Sequence, residues 1–271
     1  MHERISVNSV CFLGSSLAEV GAYWRELAAA RVSFVSQSVL AEGVGAARAA
    51  LATGRYRVET IAHPFMPGRQ LDPREESWLN ARAELQHLIA MAAQLGARSI
   101  YMLTGGHGSL TWEQAAECFS KAIAPCVAQA NAAGVALMIE NALPLYADTH
   151  IAHTLRDALT LAEMAGIGVC IDLYGCWTEA GLRDSIERAI PRCDLIQLSD
   201  YVYGDRALPS RAVPGDGAIP LARILDWMLN AGYKGAFDLE LLGPRIDREG
   251  RLDAVRRTGD YLGKILHSLG V

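Results

Sequence analysis

Residues 194–217 read DLIQLSDYVYGDRALPSRAVPGDG. The run Leu195-Ile196-Gln197-Leu198 has the composition of a buried strand but carries one amide. It then opens into a long polar loop with Asp200, Arg206, Arg211 and a Pro-Gly-Asp-Gly turn. A polar side chain in such a strand needs a partner. Three other strand-like runs end in the same way: VALMIEN at Glu140, VCIDLYG at Asp172 and AFDLELLG at Glu240. Four apolar strands that each close on one oxygen-bearing side chain predict that those four acceptors converge on one divalent metal ion.

Working outward, short β-rich runs alternate with amphipathic helical runs at a spacing of about 30 residues, the mark of repeated βα units. The strand candidates are 5–12, 33–40, 56–64, 99–103, 135–141, 168–173, 195–199 and 235–241. Helical segments, among them 18–30, 75–95, 112–133 and 153–165, carry apolar residues at spacings of three and four. Gly96, Gly134, Gly166 and Gly232 stand where left-handed C-caps belong. Eight such units predict an α/β fold, a closed (β/α)8 TIM barrel with residues 1–271 as one domain and the last helix, 254–269, closing the ring. A doubly wound dinucleotide-binding sheet is disfavoured, because no G-x-G-x-x-G turn follows the first strand. The long connection after strand three, with Met66 to Arg69 and Pro73 to Glu76, is expected to be functional or a subunit contact.

The chain has 271 residues, half of them hydrophobic, which is ample for a full core. Its net charge of −5 comes from interspersed acids and bases, so no nucleic-acid or anionic-lipid partner is expected, and a small molecule is. There is no apolar run of membrane-spanning length and no signal-peptide pattern at the N-terminus, and a cytoplasmic location is the expectation. The six cysteines form no C-x-x-C pair and read as reduced and structural, with Cys176 the one candidate to line a site.

In a parallel barrel the C-terminal strand ends share one face, where chemistry sits. Glu140, Asp172, Gln197 and Glu240 would end strands five to eight. Three neighbouring carboxylates cannot all stay ionised without a cation, and an all-oxygen donor set favours one Mn2+ or Mg2+ per chain over zinc. Glu140 and Glu240 can double as acid and base, with His63 in IAHPF and His107 in TGGHGSL as the alternative bases and His150 within reach. Arg211, Tyr174 and Asp200, on the segments after strands six and seven, are the substrate-binding candidates. A guanidinium suits a carboxylate, phosphate or diol, and an aromatic face suits a sugar or another ring.

These residues resemble the xylose-isomerase-like barrel superfamily, the sugar phosphate isomerases/epimerases, which includes ketose 3-epimerases, hydroxypyruvate isomerases, inosose dehydratases and 3-dehydroshikimate dehydratases. The resemblance covers nearly the whole chain and rests on MIEN, CIDLYG, QLSD, RAVPGDG and FDLEL. It implies that Glu140, Asp172, Gln197 and Glu240 fall on the metal positions, that Arg211 contacts substrate oxygens, and that the chain forms a homo-oligomer. Three departures stand out. Gln197 replaces the usual epimerase histidine, Gly175 stands where a catalytic histidine is usual, and Tyr146 stands where ketose epimerases tend to carry glutamate.

The function expected is a metal-dependent isomerase or epimerase acting on a keto-sugar or related hydroxy-carbonyl compound through an enediolate. A lyase, of the 3-dehydroshikimate dehydratase kind or eliminating from a 3-keto sugar, is the alternative that the departures feed. A non-catalytic or partner-dependent barrel subunit is the remote one. An apurinic-site endonuclease, needing more histidine ligands and a basic groove, does not suit an acidic chain with seven scattered histidines.

Overall fold

A computed structural model describes residues 1–271. Eight parallel strands close into a barrel in chain order: β1 Ile5–Asn8, β2 Arg31–Val35, β3 Arg57–Pro64, β4 Ser99–Leu103, β5 Ala136–Glu140, β6 Gly168–Asp172, β7 Cys193–Leu198 and β8 Ala236–Leu239. Closure is made by β1 pairing with β8, where Ser6 stands opposite Asp238. Helices fill the crossovers and form the outer layer, ending with Arg251–Ser268. The large apolar core lies between strands and helices and includes Trp24, Phe34, Phe119 and Phe237. A second, small cluster of Tyr101, Met138, Cys170, Leu195 and Ala236 fills the barrel axis.

Local chemistry accounts for the helix ends. Ser16, Thr111 and Thr154 each form a capping box with the residue three further on. Gly96, Gly134 and Gly166 adopt left-handed C-caps with φ of 66°, 70° and 68°, as their spacing predicted.

Several strands are shorter than the apolar runs suggested, β8 ending at Leu239 where the run extended to 241, and in two the chain turns into a helix. The run 5–12 leaves the sheet after Asn8, whose side chain accepts from the Val10 amide and caps a short 3-10 turn, Ser9–Phe12. The run 33–40 stops at Val35, and Val39 becomes a buried position of the helix Ser36–Leu51. A short apolar run satisfies strand and helix periods alike, and tertiary packing decides. The long connection after β3 packs inward through Phe65, Met66, Leu71 and Trp78, and Gln70 bridges to Gly106. No helix is long and apolar enough to cross a membrane.

Candidate active site

Successive strand residues face opposite sides, so a residue two positions beyond an axial core residue also faces the axis. Met138 therefore sets Glu140, Cys170 sets Asp172, and Leu195 sets Gln197. Along β8, Ala236 leads to Asp238 and then to Glu240, one residue past the strand end but still tied to β7 by its amide on the Leu198 carbonyl at 3.2 Å. At this C-terminal face lies a cavity of about 300 Å3. Its charged lining residues, Glu140, Asp172, Arg211 and Glu240, all come from the β5–β8 side.

Arg211 organises that wall. Its Nη2 lies 2.8 Å from Asp172 Oδ2 and 3.0 Å from Glu240 Oε1, and Nη1 donates to Asp172 Oδ1 and Ser199 Oγ, both at 3.1 Å. The guanidinium also lies over the Tyr174 ring, 4.7 Å from its centroid. Burial alone would lower the Arg211 pKa, but Asp172 and Glu240 hold it well above the ordinary value. Asp172 is fixed a second way, accepting from the Tyr174 amide at 3.1 Å as the cap of the turn Leu173–Cys176. The Glu140 carboxylate has no hydrogen bond or ion pair from the protein, and burial, then Glu240 and Asp172, push its pKa well up. Burial likewise raises Glu240 to about 7, against the pull of Arg211.

The four predicted metal ligands do not stand alike. Glu140, Asp172 and Glu240 line one cavity, but no three acidic, histidine or cysteine side chains close on a point that could hold a metal, because Arg211 bridges Asp172 and Glu240. Gln197 is wholly buried beneath the cavity. Its Nε2 donates to Tyr101 Oη at 3.1 Å and to Glu240 Oε2, while its Oε1 accepts from the Cys170 thiol at 3.2 Å. Gln197 thus stands as a donor to Glu240, where a ligand oxygen was expected, because the carboxylate beside it is an acceptor only. The donor chemistry nevertheless fits a divalent ion. Three carboxylates and one guanidinium leave this wall at a formal −2, and the unpartnered Glu140 faces the space.

The histidines separate sharply. His63 lines the cavity, with Nδ1 3.0 Å from Ser36 Oγ and a buried Nε2 that has no partner. Burial lowers its pKa to about 4, so the ring is neutral near pH 7. His107 is not brought to the cavity: it is exposed, its Nδ1 on the Leu110 carbonyl at 3.1 Å, because the GGHGS segment turns outward into the cap of the helix Trp112–Ala133. His150 is a strut. Its Nδ1 accepts from the Thr104 amide at 3.1 Å, so Nε2 carries the proton and donates to the Glu140 carbonyl at 2.8 Å.

Asp200, expected to bind substrate, instead turns away from the cavity. Its carboxylate accepts from the amides of Tyr201, Gly215, Gly217 and Ile219 at 2.8 to 3.1 Å, and so ties the β7 loop to its own base. Cys176 is also off the cavity, wholly buried with its thiol donating to the Asp172 carbonyl at 3.3 Å. Arg206 is exposed and donates to Tyr201 Oη at 2.6 Å. Tyr174 lines the cavity, its hydroxyl 2.5 Å from Ser210 Oγ.

Gly175 could not carry a histidine in this arrangement. A Cβ there would lie 2.8 Å from Asn141 Nδ2, and Asn141 is itself locked to Asp172 by two hydrogen bonds of 2.9 and 3.0 Å. Tyr146 does line the cavity, and burial raises its phenol pKa, so it stands there as a neutral donor. Asp238 was missed by sequence reasoning, although its place two residues before Glu240 was a signal. It is buried on the axis, accepts from Asn8 Nδ2 at 2.8 Å and Ser33 Oγ at 2.7 Å, and is raised by burial to about 7.

A closed parallel barrel with an acidic, arginine-bridged mouth defines the kind of (β/α)8 protein that carries its chemistry at the C-terminal strand ends. More particularly, the chain belongs to the xylose isomerase-like TIM barrel family, whose model matches residues 17–262. Protein SMc04130 from Sinorhizobium meliloti 1021 has a similar structure, with 25% identity, a TM-score of 0.84 and coverage of 95% of this chain and 96% of that one. The IolI protein with a bound zinc atom superposes with a TM-score of 0.81 at 14% identity, over 98% and 99% of the two chains. The 3-keto-D-glucoside 4-epimerase YcjR from E. coli does so with a TM-score of 0.77 at 17% identity, over 96% and 98%. At such identities the last two likenesses are of fold. No curated protein sequence matches the chain.

Proposed function

We propose that this chain is a divalent-metal-dependent isomerase or epimerase acting on a keto-sugar or related hydroxy-carbonyl compound, with Mn2+ or Mg2+ as its ion. The observation that carries this reading is the gathering of Glu140, Asp172 and Glu240 on one cavity wall with Arg211 as their sole cationic partner, a formal −2 that a divalent ion would neutralise. Membership in a family whose structural neighbours include epimerases supports it. Glu140, Asp172 and Glu240 would hold the ion, and Gln197 Oε1 would join them if its amide turned over. Bound there, the ion would polarise a substrate carbonyl and acidify the adjacent C–H bond.

The remaining work falls to the chain's own groups. Glu140, unpartnered and with its pKa pushed up by burial, is suited to take the proton from carbon. Glu240, near pH 7 in its titration and steadied by Arg211 and Gln197, is suited to return one. Arg211 keeps Asp172 in place through both Nη atoms and would orient an oxygen of the substrate by exchanging the Nη1 bond it now makes to Ser199. A second reading, elimination, draws on Tyr146, whose protonated phenol lines the cavity where it could hand a proton to a departing hydroxyl.

The test is solvent-deuterium exchange read by mass spectrometry on keto-sugars, keto-inositols and 3-dehydroshikimate, with Mn2+ or Mg2+ added and Glu240→Gln as control. Metal-dependent exchange lost in the control is expected, and isomerisation would give a deuterium-labelled product that has lost no water. Loss of water with a new ultraviolet chromophore would favour elimination. No exchange with any of these compounds, with or without metal, would count against a sugar, keto-inositol or dehydroshikimate substrate.

A further inference from the structure

The cavity is divided by charge. The three carboxyl groups and the one guanidinium lie on the β5–β8 side, whereas the β1–β4 side is walled by Val10, Leu13, Val35, Ala62, Pro64 and Leu103. Most of these are partly exposed to the cavity, the apolar surface a ligand would cover. The polar groups on that side are few. Gln37 is exposed, and Tyr101 Oη already accepts from Gln197. His63 has Nδ1 on Ser36, leaving one neutral ring nitrogen unpartnered. A polyol chain laid along this wall would bring more hydroxyls than Gln37 and the Tyr101 hydroxyl can partner, and each unpaired hydroxyl would forfeit its hydration. A phosphate fares no better, since Arg211 is the one lysine or arginine in the lining and is committed to two carboxylates.

From this division we infer that the substrate is two-faced: a hydroxy-carbonyl head against Glu140, Asp172, Arg211 and Glu240, and an aryl or alkyl group against the β1–β4 wall, in place of the hydroxylated tail of a free or phosphorylated sugar. The inference rests on the reading of this cavity as a site of hydroxy-carbonyl chemistry and narrows its substrate class. Leu103 and Val35, at the ends of β4 and β2, set the preference for the apolar group.

Hydroxamates carry two adjacent oxygens like the proposed head, so a series with one head and different tails isolates the tail. Benzohydroxamate, butanohydroxamate and the hydroxamate of a four-carbon polyol acid would be titrated calorimetrically into the full chain, metal-free and loaded with Mn2+. The apolar-tailed compounds are expected to bind about tenfold more tightly than the polyol one, the effect of burying roughly two methylene groups. The better of the two tells aryl from alkyl. Leu103→Asn should shrink the ratio to about threefold or less without changing Mn2+ affinity, and Val35→Thr is the second variant should the first fail to fold. A polyol hydroxamate that binds as well or better, or the absence of binding by either apolar compound in both forms of the protein, would overturn the inference. Failure of Mn2+ itself to bind, with the tail preference intact in the metal-free chain, would count against the metal reading and for this one.

Discussion

Arg211 is the residue on which the site turns. Two carboxylates of different strands share its guanidinium in a setting where each alone would be an uncompensated buried charge. Arg211→Met should therefore cost about 3–5 kcal/mol of unfolding free energy, the range for breaking a buried pair. On the metal-dependent reading proposed above, Mn2+ would take over as counter-ion, and added Mn2+ should recover part of that loss. Urea unfolding with and without the ion measures both, and a loss under about 1 kcal/mol would show that Arg211 is not the counter-ion of this wall. His63 makes the complementary prediction in pH. Its folded pKa of about 4 lies below the ordinary histidine value of 6.5, so above pH 6.5 its contribution to stability is complete. As pH falls from 6.5 towards 4, the unfolded chain takes up a proton that the folded one refuses, and stability drops by about 3 kcal/mol before levelling. His63→Gln should remove that part of the slope, which unfolding curves at pH 7 and near pH 4.5 would reveal.

At the scale of elements, one side chain gathers the base of the loop after β7. Asp200 collects amides from Tyr201, Gly215, Gly217 and Ile219, and a Cβ at Gly217 would collide with its carboxylate. The PGDG turn is thus built for close approach to Asp200, and Arg211, borne on this loop, inherits its place from it. Asp200→Ala should cost about 2–4 kcal/mol and speed hydrogen exchange at the amides of Gly215, Gly217 and Ile219, with the helical layer unaffected. Unchanged exchange at these amides would refute the tether. Strand β6 shows the same economy of space: Asn141 locks to Asp172 and fills the volume that a side chain at position 175 would need. Position 175 therefore leaves no vacant space for a larger side chain while Asn141 holds this place.

For the whole molecule, a ligand that binds only the folded barrel stabilises it by mass action. At Mn2+ about one hundred times its dissociation constant, the gain is about 2.7 kcal/mol, or roughly 5–10 °C in melting temperature for a chain of this size. A melting curve unmoved by Mn2+ and by Mg2+ would count against the metal. The barrel is what makes the prediction global, since the carboxylates sit at the ends of β5, β6 and β8 and local opening of any one of them dismantles the set.

The architecture was legible from residue order, because strand and helix periods, capping residues and C-cap glycines are local properties and eight βα units have few ways to close. The strand-end positions of Glu140, Asp172 and Glu240 were legible for the same reason. What the sequence could not express is which groups meet across the axis. Arg211 is 39 residues from Asp172 and yet bonded to it, Gln197 points its amide nitrogen at Glu240, and His150 and Asp200 spend their polar atoms on backbone. Burial leaves each polar atom needing whichever partner the fold brings near, and only the closed barrel decides whether that partner is substrate, backbone or another side chain.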